Sequence, residues 1–487
     1  MHAIPKLIAV FVASSLSSLS GCRTTTSGNG SKAEFAYEPL PAVAEDKGTL
    51  AESVNPVAWQ GPAAEDLPGP AASNPTATEN AGVALPGDES GESSLDVDWL
   101  VNEVLARNPD VRSAVAAWRA AAMRYPQEVA LDDPMFGYML GPGSWGDSTV
   151  SSAYTLEASQ KLLWPGKRRL RGEIAQAEAN AKFFEAGEER LRIAATTRLA
   201  YYDYFMADRQ LAALGESEEL LREFRKSAEA RYKAADVEQQ DILLADVELA
   251  QVSRERLELE RRLRVAQARI NTLLLLPADA PLARPPTDLA VVASPASVAE
   301  LRSLALSQRP ELVAQQARIR AERYAIELAC KEYYPDMEVI GRYDAFWQET
   351  PLRPMVGMNL NVPLYKQKRC AAVSEARARL AKEQAALDAS INEIAFAAEE
   401  ARQQVVESST ALAIFRDELL PVAKQSVDSA RASYIAGRLD FLRLVEAQRK
   451  QLEVQAEYFA TLAAYHQRRA ELERVIGTPL GNLDASE

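Results

Sequence analysis

Two kinds of periodicity alternate along this chain. Apolar residues first recur at alternating three- and four-residue steps. Leu387, Ile391, Ile394, Ala398, Ala401, Val405, Leu412, Phe415 and Leu419 form one such series, with Ser408 the lapse. Leu249, Val252, Leu259, Leu263, Ala266, Ile270 and Leu273 form another, with Arg256 the lapse. This is heptad spacing, and it predicts long helices packed as coiled coils. Residues 167–233 hold no proline, so a single helix there would reach about 100 Å. The alanines in these seams let helix axes approach closely.

Between the helical blocks the period falls to two. In "PDMEVIGRYDAFWQ" (335–348), Met337, Val339, Gly341, Tyr343, Ala345 and Trp347 share one face. Asp336, Glu338, Arg342 and Asp344 share the other. "PMVGMNLNVPL" (354–364) puts Val356, Met358, Leu360 and Val362 together. "VSSAYTLEASQKLL" (150–163) sets Val150, Tyr154, Leu156, Ala158 and Leu162 against Thr155, Glu157, Ser159 and Lys161. Trp145, Trp164 and Trp347 lie near the ends. Segments of about ten residues, apolar on one side, polar on the other and aromatic at the ends, have the pattern of membrane β-strands. One strand alone reads equally well as part of a soluble hairpin. Two hairpins placed symmetrically favour the membrane.

The symmetry is a tandem duplication. "LVNEVLARNPDVRSAVAAWRAA" (100–121) parallels "LRSLALSQRPELVAQQARIRAE" (301–322). The first repeat spans 95–280, with a β-hairpin at about 133–163 and a helical hairpin at about 167–276. A Pro-rich linker occupies 281–298. The second repeat spans 299–480, with a β-hairpin at about 335–364 and a helical hairpin at about 366–476. Each long helix breaks alike, at "YKAADVEQQDILLAD" (232–246) and "YIAGRLDFLRLVEAQ" (434–448). These breaks read as hairpin tips. Gly437 permits a left-handed turn; Ala235 stands in that place in the first repeat, so that turn has a different geometry or is strained.

Four strands cannot close a barrel, and lipid cannot satisfy open sheet edges. Common barrels begin at about eight strands. The chain therefore needs copies of itself: two would give a filled eight-stranded barrel, three a twelve-stranded one with room for a channel.

Composition narrows the function. The formal charge of −14 demotes nucleic acid as a partner. No internal run of eighteen apolar residues predicts a spanning helix. Residues 1–21 read as a signal peptide around "LIAVFVASSLSSL". "LSGC" (19–22) looks like a lipobox, with Cys22 the lipidated first mature residue; the other reading is an ordinary signal peptide with a chance cysteine. Residues 23–92, rich in Pro, Ala, Gly, Ser and Glu, read as a disordered tether. His466, Cys330 and Cys370 are the only such residues beyond position 22. They furnish no convincing soft-metal site. No cofactor and no catalytic constellation is indicated, so the chain does not read as an enzyme. Cys330 and Cys370 lie equidistant from the second hairpin's turn near residue 350 and could form a disulfide in an oxidising compartment.

The lipobox, the duplicated body, "YYPD" (333–336), "MNLNVPLY" (358–365), "WPGKRRLRGE" (164–173) and "YIAGRLDFLRLVEAQ" together resemble the outer-membrane efflux factor family, TolC-type. The resemblance covers about residues 95–480, and "WPGKR" is most similar to the heavy-metal-efflux lipoprotein branch. It implies a mainly α fold with a membrane β portion: a homotrimer whose twelve strands form a barrel in the outer-membrane lipid above a periplasmic α-helical barrel. The implied function is a passive duct for heavy-metal cations or drugs. The implied partners are a periplasmic adaptor (membrane fusion) protein and an inner-membrane pump of the resistance-nodulation-division type. Two alternatives stay open: an outer-membrane duct for type I protein secretion, or a coiled-coil adaptor or structural lipoprotein. The family's adaptor-contacting tips fall on Tyr232, Ala235, Tyr434, Gly437, Leu439 and Asp440. Its acidic constriction falls on Asp241 and Glu446, but Arg443 stands where a further acid is expected. Arg443 and Glu446, three residues apart on one helix face, would pair within or between protomers. The basic clusters 167–171 and 366–369 are expected at the barrel's inner rim.

Overall fold

The computed structural model describes residues 94–144, 153–234, 238–291, 297–347 and 349–480. All of them belong to one compact unit, Pro56–Glu487. Cys22, the tether, Trp145, Val150 and Ala235 lie outside the described residues.

The same order of elements occurs twice. The first pass runs α1 (Val97–Arg107), α2 (Pro109–Ala122), α3 (Arg124–Val129), β1 (Met135–Gly141), β2 (Ala153–Leu162), α4 (Lys167–Lys233) and α5 (Gln239–Leu273). The second runs α6 (Val298–Gln308), α7 (Pro310–Lys331), β3 (Met337–Asp344), β4 (Pro354–Leu360), α8 (Lys366–Ile414), α9 (Leu420–Ile435) and α10 (Phe441–Ile476). Local signals set many boundaries. Asp96 caps α1 by accepting from the Trp99 N–H, and Asn108 caps α2, with Pro109 in its first turn. Ser297 and Glu300 form a capping box on α6.

The four strands form one antiparallel sheet in the order β1-β2-β3-β4. The β2–β3 ladder, from Thr155 opposite Asp344 to Leu162 opposite Met337, joins the two repeats. The register gathers Phe136, Tyr138, Leu156, Tyr343, Val356 and Met358 on one face. Thr155, Glu157, Ser159, Glu338, Arg342 and Asn359 fall on the other, where Arg342 Nε donates to Glu157 at 2.8 Å. The strands are shorter than their alternation suggests. Ala345 and Trp347 sit in the turn. β4 ends at Leu360; the ladder runs one bond further, from the Asn361 N–H to the carbonyl of Asp336 opposite it, 3.0 Å away, and Pro363 has no N–H to offer. Among the described residues, β1 and β4 are edges whose outer backbone groups have no partner strand.

α4 folds back on α5, and the α8–α9 rod folds back on α10. Three cores hold them. Leu100 and Val104 of α1 pack under Tyr201, Tyr202 and Ile270. Phe205, Leu301, Val405, Leu462, Tyr465 and Leu472 form a second core. Leu214, Phe224, Val252, Leu259, Tyr434 and Phe441 form a third toward the tips. The heptad lapses have explanations. Ser408 is buried and turns its hydroxyl to the Gln404 carbonyl; Arg256 pairs with the buried Glu218. The series is followed through Leu412, which is buried, but Leu419 is exposed. A π-helical segment, Phe415–Leu419, intervenes just before Pro421 and shifts the phase of the rod. Among the described residues, no helix is long and apolar enough to cross a membrane.

Candidate functional site

The two hairpin tips come together, although about two hundred residues separate them in sequence. The second tip is built by its glycine. Gly437 has φ +69°. Its N–H donates to the Tyr434 carbonyl at 3.0 Å, and the Arg438 N–H donates to the Ser433 carbonyl at 2.9 Å. This left-handed cap satisfies carbonyls that the end of α9 would otherwise strand.

Tyr434 turns inward. It is 2% exposed, and its ring meets Phe441 edge-on at 5.5 Å. Arg231, at the end of α4, reaches across from the first repeat. Its Nη1 donates to the Tyr434 carbonyl at 2.6 Å. Its guanidinium carbon stands 4.8 Å from the Tyr434 ring centre, a cation–π arrangement. A Cβ on residue 437 would stand 3.5 Å from the Arg231 Nη2, an ordinary contact, so the glycine is called for by its positive φ and not by crowding.

Asp241, on the first turn of α5, is half-buried beside this cluster. Burial raises its carboxyl pKa; Arg231 opposes this, while Asp440 and Glu238 add to it. Burial also raises the Tyr434 phenol, helped by the charge of Asp241. The Tyr434 hydroxyl is buried without a hydrogen-bond partner.

The two tyrosines expected to pack alike do not. Tyr232 is 44% exposed. It is one residue past Arg231, and the helical turn that aims Arg231 at the second hairpin aims Tyr232 elsewhere. Arg443 and Glu446 are both exposed on α10, and they make no ion pair with each other within the protomer. Leu439 is half-buried and Asp440 exposed at the start of α10.

Further polar contacts tie the hairpins above the tip. Arg431 reaches Glu223 at 3.0 Å. Arg449 Nε donates to the buried Glu248 at 2.7 Å. Gln448 donates to Ser217 at 3.2 Å. Neither Arg231 nor these pairs announces itself in sequence, because each partner lies in the other repeat.

The expected Cys330–Cys370 bond is not made. Both thiols are free and exposed, and Cys370 Sγ lies 3.1 Å from the Tyr333 hydroxyl instead. Of the basic residues expected at the rim, Lys366 and Lys368 are exposed, but Lys167 is buried. Among the described residues, no group of three His, Cys, Asp or Glu side chains could hold a metal ion.

Residues 301–478 match the family model of outer membrane efflux proteins. No curated protein matches the chain. Solved structures share its fold. The outer-membrane channel OprN is 19% identical with a TM-score of 0.65, over 82% of this chain and 96% of that one. CusC, studied for conformational changes in folding and transmembrane channel formation, is 15% identical with a TM-score of 0.68, over 81% and 97%. VceC from Vibrio cholerae is 18% identical with a TM-score of 0.65, over 79% and 96%. Residues 301–478 are thus similar to the outer membrane efflux protein family, and the described body as a whole has the fold of these solved outer-membrane channels.

Proposed function

We propose that this chain is the outer-membrane duct of a tripartite efflux system, working as a homotrimer. One observation carries the reading: a four-stranded sheet with one apolar face and two open edges stands on two long helical hairpins. Lipid leaves no edge hydrogen bond unsatisfied at low cost, so β1 of one protomer pairs with β4 of the next. Three copies then supply twelve strands, enough for an open lumen.

In this reading Cys22 carries the lipid anchor in the outer membrane, and the helical hairpins extend into the periplasm. The tips around Tyr232, Ala235, Tyr434, Gly437, Leu439 and Asp440 meet a periplasmic adaptor, which joins the duct to an inner-membrane pump of the resistance-nodulation-division type. Asp241, Arg443 and Glu446 line the narrow end. Arg443 and Glu446 make no ion pair with each other within a protomer, and pairing with side chains of neighbouring copies is the gate this reading supposes. Energy comes from the pump; the duct is passive.

Outer-membrane fractions containing the full chain test this. A heat-dissociated trimer is expected on unheated gels; a protein found only as monomer overturns the duct. Export of metal cations, dyes and a secreted protein from a deletion strain, with and without the gene restored, then names the cargo. Restored metal or dye export supports efflux, and restored protein secretion alone replaces it with a secretion duct.

A further inference from the structure

The passage from sheet to helices is built around one buried ion pair. The turn Trp164-Pro165-Gly166-Lys167 ends β2 and starts α4. The Lys167 N–H donates to the Trp164 carbonyl at 3.1 Å, and Gly166 has φ +92°. This is the chemistry of a type II turn, with proline second and glycine third. The turn points the Lys167 side chain inward, where it is 1% exposed.

Its ammonium meets the second repeat. Nζ lies 2.9 Å from Asp336 Oδ1, 3.2 Å from the Tyr334 carbonyl and 3.5 Å from Glu332 Oε2. Asp336 is in turn a node. Its Oδ1 also accepts the Trp164 N–H at 2.9 Å, and its carbonyl accepts the Asn361 N–H at 3.0 Å. The Trp164 and Tyr334 rings stack above it, 5.1 Å apart and 15° from parallel. The Asp336 carboxylate therefore joins two strand–helix passages, β2 to α4 and α7 to β3, while its backbone carbonyl carries the sheet ladder on to Asn361 where β4 ends.

Nothing in the efflux chemistry requires a buried lysine here, and burying an ammonium costs several kcal/mol before any partner is counted. Geometry supplies a reason. A strand of seven or eight residues is about 25 Å long. An error of about 20° at its base would move its far end by about 9 Å, nearly two strand spacings of about 4.8 Å. Barrels close only when tilt and stagger agree around the ring. Edges so displaced could not find the neighbouring copy's edge.

We infer that Lys167 and Asp336 are a positioning pair that sets the angle of the membrane sheet on the helices, and that closure of the trimer depends on it. The inference rests on the reading of the chain as a trimeric outer-membrane duct. Both members are needed, because the lysine comes from the first repeat and the aspartate from the second. The pair thus ties the base of β2 to the base of β3, where the two repeats' strands pass into their helices.

The full-length chain, expressed into the outer membrane, is the test. Lys167→Met and Asp336→Asn are each expected to lower the yield of heat-dissociable trimer at least tenfold, while circular dichroism of the purified monomer keeps wild-type helix content. Lys167→Arg is expected to retain most of the trimer, and the exchange Lys167→Asp with Asp336→Lys to recover part of it. Wild-type trimer yield in both single variants overturns the inference. So does parallel loss of helix content, which would make the pair a requirement of folding rather than of closure. Loss in Lys167→Arg and in the exchange as deep as in the single variants would also overturn it, since an opposite-charge pair kept at these two positions would then not support closure. Absence of trimer from the wild-type chain would instead overturn the duct reading itself.

Discussion

Tyr434 illustrates how a side chain can be central through its ring while its polar atom has no use within the protomer. Its hydroxyl is buried and unpartnered, whereas its ring holds Phe441 and Arg231. Removing an unsatisfied buried hydroxyl relieves a desolvation penalty. Tyr434→Phe is therefore expected to leave chemical unfolding unchanged to within about 0.5 kcal/mol, or to stabilise slightly. A loss above about 1 kcal/mol would reveal a partner for the hydroxyl on a neighbouring copy. Arg443 makes a sharper functional prediction. If it meets a neighbour's carboxylate at the narrow end, Arg443→Ala should raise single-channel conductance in planar bilayers several-fold. Unchanged conductance and unchanged dye leakage would remove Arg443 from the gate. His466 belongs to a different part of α10. It stacks on Tyr202 at 5.0 Å, and burial, with Arg469 adding to it, lowers its pKa to about 4. Between about pH 6.5 and that value, the unfolded chain binds a proton that the folded site refuses. Stability should thus be fully present above about pH 6.5 and fall by up to about 3 kcal/mol as pH drops to 4. His466→Phe should abolish that difference; denaturant melts of both proteins across this range would show it. His466 was visible in the sequence, but its burial was not, because Tyr202, on which it stacks, lies in the other repeat.

At the scale of elements, the long hairpins were legible and their irregularities were not. Heptad spacing marks α4, α5, α8 and α10 because a coiled-coil seam is a local repeat. The π segment Phe415–Leu419 escapes that reading. Leu419 keeps the sequence spacing yet emerges exposed, since one wide turn rotates everything after it. The tip turn was better announced, by Gly437. Its φ of +69° costs an L-residue with a Cβ about 1–2 kcal/mol. Gly437→Ala should destabilise by that amount, and Gly437→Asn by less, as asparagine tolerates this region. Equal melts for all three chains would show that the turn relaxes to another form. The strands were also legible as alternation, but the alternation ran past their ends, as at Ala345 and Trp347, which sit in the turn.

For the whole molecule, the sheet's two faces make the clearest prediction. Val356 is 87% exposed on the apolar face, and Asn359 is exposed on the polar one. If the apolar face meets lipid, Val356→Arg should cost about 2–4 kcal/mol near mid-membrane and deplete the assembled trimer. Asn359→Lys on the polar face should assemble normally. The reverse result would turn the sheet inside out. The edges β1 and β4 complete the argument, since each would otherwise expose a row of backbone groups to hydrocarbon.

The sequence by itself determined what depends on neighbours a few positions away: helices from their seams, strands from alternation, the tip turn from Gly437, and the duplication from its own recurrence. It also carried the expectation that four membrane strands need further copies, because that follows from counting and from the physics of lipid. Only the tertiary structure decided which residues of one repeat meet those of the other. Arg231 on Tyr434 and Lys167 on Asp336 join positions about two hundred and one hundred and seventy apart. It likewise decided that Tyr232 and Tyr434 differ and that Cys330 and Cys370 stay free. Pattern along a chain carries a residue's face, whereas its partner depends on how two long rods settle against each other, and that is fixed by packing summed over their whole length.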